Sequence, residues 1–170
     1  MYKTISNHIK QASFFMYIFG SSKEDMIKTL KNFIEFLETE PDKSFKKDSM
    51  ENIPSIMFLT PEAENRFKQK IPEMHRGGKA GMDKFNILYT LGQYLIALFS
   101  AMFVINLKEK TPEGFEAVEK TLKPLNDLWH KGDKGLSVSL MEEYNGKSTT
   151  NAKKELIEKI NKTIEILNNL

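Results

Sequence analysis

Three histidines, at His8, His75 and His130, are the nitrogen ligands this chain could offer a metal, and they fall on three different segments. Asp127 and His130 stand at i, i+3 within one helical pattern, which is half of what a carboxylate-bridged two-metal site requires. The second half is missing, because Glu73 and His75 are two apart and follow Pro72. The pair is read instead as the polar end of a helix near Trp129. With no cysteine in the chain, thiolate nucleophiles, thiolate metal sites and disulfides are all excluded.

The remaining nucleophiles are Ser, Thr, Lys and carboxylates, and no G-x-S-x-G elbow presents any of them. Glu62 with Glu64, and Glu142 with Glu143, are the paired acids. Acid/base work needs at least one carboxyl in an apolar pocket that raises its pKa, and both pairs read as solvated surface. Gly77, Gly78 and Gly81 precede a helix whose free N–H groups could cradle phosphate. Their spacing fits neither G-x-x-x-x-G-K-[ST] nor G-x-G-x-x-G, so a linker is the reading. Asn161-Lys162-Thr163 has the glycosylation pattern but lies inside a helical stretch, and is treated as chance. The expectation is a protein without catalytic constellation, metal or cofactor.

Charge narrows the partners. Charged residues make up 28% of the chain, yet the formal net charge is +2, too small a basic excess for nucleic-acid binding. Arg66 and Arg76 are the arginines, lysine supplies the other positive charge, and the Asn, Lys and Ile content suits an AT-rich, bacterial or host-associated origin. Basic residues gather between Arg66 and Lys84, and Arg66, Lys68, Lys70, His75, Arg76 and Lys79 form the predicted interaction surface. A protein is the first partner expected on it, and an anionic membrane surface the second.

The elements that must position these residues are helices. Ile5, Ile9, Ala12, Met16 and Phe19 recur at spacings of four and three, one stripe of a helix ending at Gly20. The stretch from Lys3 to Ser22 also has the basic start and apolar run of a signal peptide, without an A-x-A-like cleavage site. Ser21 and Glu24 form a capping box for a second helix, where Met26, Ile27, Leu30, Phe33, Ile34 and Leu37 share a face and Pro41 closes it. Polar loops are expected near 42–53, 72–82 and 131–136. Ile56 to Leu59 is too short to classify by period. Thr60-Pro61-Glu62 and Thr111-Pro112-Glu113 both read as N-cap, first-turn proline and acid. The first helix turns Ala63, Phe67 and Ile71 inward. The second carries Phe115, Val118, Leu122, Leu125 and Trp129, with a kink or break expected at Pro124. Leu136 to Leu140 alternates like a strand but has no partner, which leaves a short extended piece or the start of a helix through Tyr144. A last helix from about Asn151 buries Ile157, Ile160, Ile164 and Leu167.

The sharpest feature is Phe85 to Leu107, which has no ionisable group except two tyrosines and is long enough for a transmembrane helix at roughly 20 residues. Its less apolar residues, Asn86, Thr90, Gln93, Ala97 and Ser100, fall on one narrow stripe, a predicted buried polar seam. Four other segments each present one apolar stripe and a charged back, and such helices need a common hydrophobic partner. The long segment is that partner, so the buried-core reading takes precedence over a membrane span. The fold predicted is all-α, a single-domain bundle of about five to seven helices around Phe85 to Leu107.

Such a bundle resembles in architecture the Bcl-2 family and colicin-like pore-forming domains. The N-W-G-R signature of the former is absent, and no residue role follows from the likeness. The function expected is a non-enzymatic protein-binding module of adaptor, inhibitor, immunity or secreted-effector type, acting through helix faces and the basic region. It would work in the cytoplasm, in the cytosol of a cell it is delivered into, or at a membrane periphery. Trp129 is a candidate aromatic anchor for the partner, with a plain core residue as the other reading. The alternatives are a membrane-inserting helical protein using 85–107, then a small-ligand-binding domain or an enzyme.

Overall fold

The computed structural model describes residues 10, 16, 22–46, 58–71, 87–144 and 146–170. Among them are six helices: α1 (Lys23–Thr39), α2 (Pro61–Lys70), α3 (Ile87–Asn106), α4 (Pro112–Trp129), α5 (Leu136–Tyr144) and α6 (Thr149–Asn169). The all-α bundle is the observed fold. Beside it, a 3-10 turn at Asp42–Ser44 leads into β1 (Phe45–Lys46), which pairs antiparallel with β2 (Phe58–Leu59). Part of the loop expected at 42–53 is thus structured, and the unclassified Ile56 to Leu59 run ends as a two-residue strand.

Local chemistry sets where the helices begin. Thr60 and Thr111 accept from the N–H of Ala63 and Gly114, each with proline at the start of the helix behind it. Both satisfy an N–H that the first turn cannot bond internally. For α1 the cap is Ser22, accepting from Asp25 N, one residue later than the Ser21 and Glu24 box predicts. Ser22-x-x-Asp25 overlaps that pattern in the next register, and its serine meets the backbone. The last helix starts two residues earlier than expected, capped by Ser148.

Proline does not break α4. The helix runs unbroken from Pro112 to Trp129 with Pro124 inside it. The exposed Pro124 faces away from the buried stripe of Phe115, Val118, Leu122, Leu125 and Trp129, so its missing N–H falls on the solvent side. The alternating stretch after it is helix α5. Its buried Leu136, Leu140 and Tyr144 are four apart, a helical rather than a strand period.

Packing bears out the buried-core expectation for the long segment. Helix α3 is long and apolar enough to cross a membrane by length and composition, yet 72% of its apolar window is buried inside the protein. Its covers can be named. On α1, Phe33 lies 5.6 Å from the Tyr94 ring, and the Tyr94 hydroxyl donates to Met26 O at 2.8 Å. On α4, Phe115 stacks on Phe103 at 6.0 Å. On α5, Ser137 presses against Gly92, where an added Cβ would lie 3.0 Å from the Ser137 Cα. Helix α6 closes the other side of α1, and α2 lies across α1 with Phe67 edge-on to Phe36 at 4.9 Å. These helices share one continuous core. Met16 packs against it, whereas Ile5, Ile9, Ala12 and Phe19 of the predicted first stripe lie outside the described residues.

Candidate functional site

The three described residues of the predicted basic surface are already paired. Helix α2 places Arg66, Lys68 and Lys70 on its outer side, and each meets an acid. Arg66 donates to both carboxylate oxygens of Glu40, at 2.5 and 2.7 Å. Lys68 pairs with Glu64 one turn back at 2.8 Å, and Lys70 pairs with Glu35 of α1. Positive charge compensated in this way does little to attract an anionic partner. His75, Arg76 and Lys79 of the same predicted surface lie outside the described residues.

Glu40 is the centre of a clasp that the sequence did not announce. It caps the C-terminal end of α1 and its side chain is 7% exposed, while that of Arg66 is 50% exposed. Its backbone carbonyl accepts from Lys153 of α6 at 2.5 Å, and the same lysine reaches Asp42 at 3.3 Å. Thr150 also donates to Asp42. The Arg66 guanidinium holds the Glu40 carboxyl below its usual range against the opposing effect of burial, with Ser44 and Lys153 contributing. Charge-assisted bonds of this kind tie α1, α2 and the start of α6 together. Their residues saturate one another, which suits fastening better than chemistry.

A second cluster joins α4, α5 and α6. Glu143, expected on solvated surface, is 11% exposed. It accepts from Lys159 with both oxygens at 2.9 Å, and Lys131 stands 3.2 Å away. Burial pushes its carboxyl up, but bonding and charge from Lys159 and then Lys131 outweigh this and hold it low. The Lys159 ammonium also lies 5.5 Å from the Trp129 ring centre and 5.8 Å from that of Tyr144. Trp129 is 1% exposed, and its indole N–H donates to Thr163 at 2.7 Å. The aromatic-anchor reading is therefore corrected: Trp129 is core, and its polar edge is satisfied from within. Thr163 is itself fully buried and donates to Lys159 O at 2.9 Å, so the threonine of the glycosylation pattern sits on the inner face of α6 while Asn161 is exposed.

Tyr144 is the odd member of this group. Its side chain is completely buried and its hydroxyl has no hydrogen-bond partner among the described residues. Burial, helped by the charges of Glu143, Glu155 and Glu158, pushes its pKa well up from the ordinary tyrosine value. Asp127 meets Lys123 at 2.5 Å, one turn away, and His130 is exposed at the end of α4. No group of three potential metal ligands gathers among the described residues.

The polar seam is buried in part. Thr90 and Ser100 are each 2% exposed, Asn86 lies outside the described residues, and Gln93 is half-buried, donating to Ser137 of α5 at 3.3 Å. The edge of α3 that reaches outward is a neighbouring and more apolar stripe. Tyr89, Gln93, Ile96 and Phe99 recur at spacings of four, three and three, and all are half-buried. Val138, next to the Ser137 that contacts this edge, is 49% exposed. His130 stands at the far end, its ring 6.4 Å from that of Phe99. Sequence reasoning picked Gln93 for the wrong stripe and passed over Val138, because alternation had left its element undecided. Gly92 did carry a signal, since an isolated glycine inside an apolar helix marks a close backbone approach.

No protein-family model, no curated protein and no solved structure matches this chain.

Proposed function

We propose that the chain is a non-enzymatic helical module that binds another protein through the edge formed by Tyr89, Ile96 and Phe99 of α3 with Val138 of α5. The observation that carries this reading is the half-open state of large apolar side chains on α3, the apolar helix that α1, α4 and α5 cover. A narrow apolar stripe bordered by polar groups, here Gln93 and His130, suits the apolar face of a partner helix. The ionic clusters favour the same reading from the other side. Their lysines and carboxylates compensate one another, and none is left poised for proton transfer or for an anionic lipid headgroup. The cytoplasm, or the cytosol of a cell that receives the protein, is the setting this proposal assumes.

The test is capture of partners by Val138→Glu and Ile96→Glu variants beside the parent chain. Val138 is half-exposed, so the fold of Val138→Glu should persist, as circular dichroism will report, while partner capture falls by tenfold or more, about 1.4 kcal/mol. Equal capture by the parent and both variants, with the fold intact, overturns the proposal. A charge reversal at Arg66 should act differently, by loosening the Glu40 clasp and lowering stability without selecting among partners.

A second reading, membrane association, rests on α3 itself. At about 1.5 Å per residue its 20 residues span roughly the thickness of a bilayer core. This reading requires that anionic liposomes bind the protein and leak, and that Ile96→Lys weakens both effects. Liposomes that sediment without the protein remove it.

A further inference from the structure

Helix α5 is built differently from its neighbours. It is nine residues long and opens with Leu136-Ser137-Val138-Ser139, where serine and β-branched valine are weak helix formers. A helix this short is marginal without tertiary support. Both connections to it run through left-handed glycines, Gly132 with φ +68° before it and Gly146 with φ +78° after it. Neither glycine has any atom within 4 Å of where a Cβ would stand, so both joints turn in open space.

What holds α5 down is local and identifiable. Leu136, Leu140 and Tyr144 are buried, Ser137 fits the Gly92 notch and accepts from Gln93, and Glu143 reaches Lys159 and Lys131. The neighbouring Glu142 pairs with Lys134, on the same side of Gly132 as α5, and the Ser139 hydroxyl donates to Lys131 O and Lys134 O at the long distance of 3.5 Å. The Tyr144 hydroxyl, buried without a partner among the described residues, works against the closed position, because water would satisfy it on opening.

We propose that α5 is a hinged strap: it opens as one unit about Gly132 and Gly146, is latched shut by Glu143, and uncovers the Gly92 face of α3 when open. The rest of the bundle has ties that do not pass through α5. Helices α1, α2 and α6 are joined by the Glu40 clasp, and α4 meets α6 through the Trp129 to Thr163 bond. Opening therefore costs less than global unfolding. The strap does not depend on the binding proposal, since it is read from the protein alone.

The chain's lack of cysteine makes the test direct. Ser139, 3% exposed on the inner side of α5, is changed to Cys as a near-isosteric single thiol. Its alkylation rate is followed with amide exchange across α5 and α6 in the full chain. The Ser139→Cys thiol and the α5 amides should react roughly tenfold or more faster than global unfolding, as reported by the slowest α6 amides, would permit. Adding Glu143→Gln should speed the α5 amides by about another tenfold; because α5 opening and global unfolding start from the same closed state, the slowest α6 amides speed by up to the same factor and the gap between the two persists. Gly92→Ala, whose Cβ would meet the Ser137 Oγ at 2.5 Å, should do the same from the opposite side of the contact. Exchange of α5 at the same rate as the slowest α6 amides, in the parent or in the variants, would show α5 to be an integral part of the bundle, and an α5 rate that neither variant changes would remove the latch; either result overturns the proposal.

Discussion

Two buried tyrosines show how differently one hydroxyl can act on stability. The Tyr94 hydroxyl donates to Met26 O at 2.8 Å across the α1 and α3 contact, whereas that of Tyr144 has no such bond among the described residues. Tyr94→Phe should cost about 0.5–1.5 kcal/mol for the lost bond, and more if Met26 O is left dry. Tyr144→Phe should cost nothing or raise stability, because it removes a buried polar atom and keeps the ring that the Lys147 ammonium faces at 4.8 Å. Urea unfolding of the two variants decides, and equal losses would mean that the Tyr144 hydroxyl is satisfied. Thr163→Val is the matching test of the second cluster. It strands the Trp129 N–H in the core, with an expected cost of about 1–3 kcal/mol. Signals confined to a few adjacent residues were legible in the sequence at this scale, as the Thr60 and Thr111 caps show. Ser21 and Ser22 each stand three residues before an acid, so the pattern alone could not choose between their registers. The partners of Glu40 and Glu143 were beyond it, because Arg66 is 26 residues from the first and Lys159 is 16 from the second.

At the scale of elements, amphipathic stripes read well and exceptions to local rules did not. The apolar positions of α1, α4 and α6 follow from a period near 3.6, and the described structure buries most of them. Helix α5 was ambiguous because Leu136, Val138 and Leu140 fit alternation while Leu136, Leu140 and Tyr144 fit a helix. The absence of a strand to pair with is what favours the second period. Pro124 shows tertiary packing overriding propensity. The buried stripe on both sides of it holds α4 together although Pro124 cannot donate to the carbonyl of Lys120. Pro124→Ala should restore that bond at an exposed site and stabilise the protein by roughly 1–3 kcal/mol, seen as a higher melting temperature. An unchanged melting temperature would show that the proline costs the helix nothing where it stands.

For the whole molecule, an apolar rod is kept from water by helices that are themselves fastened through a few carboxylates. The rod was legible as a run without charge, and its burial followed from the one-sided helices around it. The fastening was not, because it depends on which surfaces meet. That fastening makes the bundle sensitive to acid, and the sign follows from the carboxyls. In the folded protein Glu40 is held below 4.5 chiefly by Arg66, and Glu143 is held below 4.5 by Lys159 and Lys131 against the opposing effect of burial. Asp42 is lowered from 3.8, first through its bond from Thr150. Near these ordinary values the unfolded chain binds more protons than the folded one, so stability rises with pH there. The contribution is complete above about pH 5 and disappears as the pH falls through the lowered folded values. The melting temperature should hold level from neutral pH to about pH 5 and then drop steeply. Glu143→Gln should melt lower at neutral pH and lose less on acidification, because one of the titrating fasteners is gone. A parent protein whose melting temperature is unchanged between pH 6 and pH 3 would mean that these ion pairs bind the helices no more firmly than solvated surface pairs, and that burial of α3 alone sustains the fold.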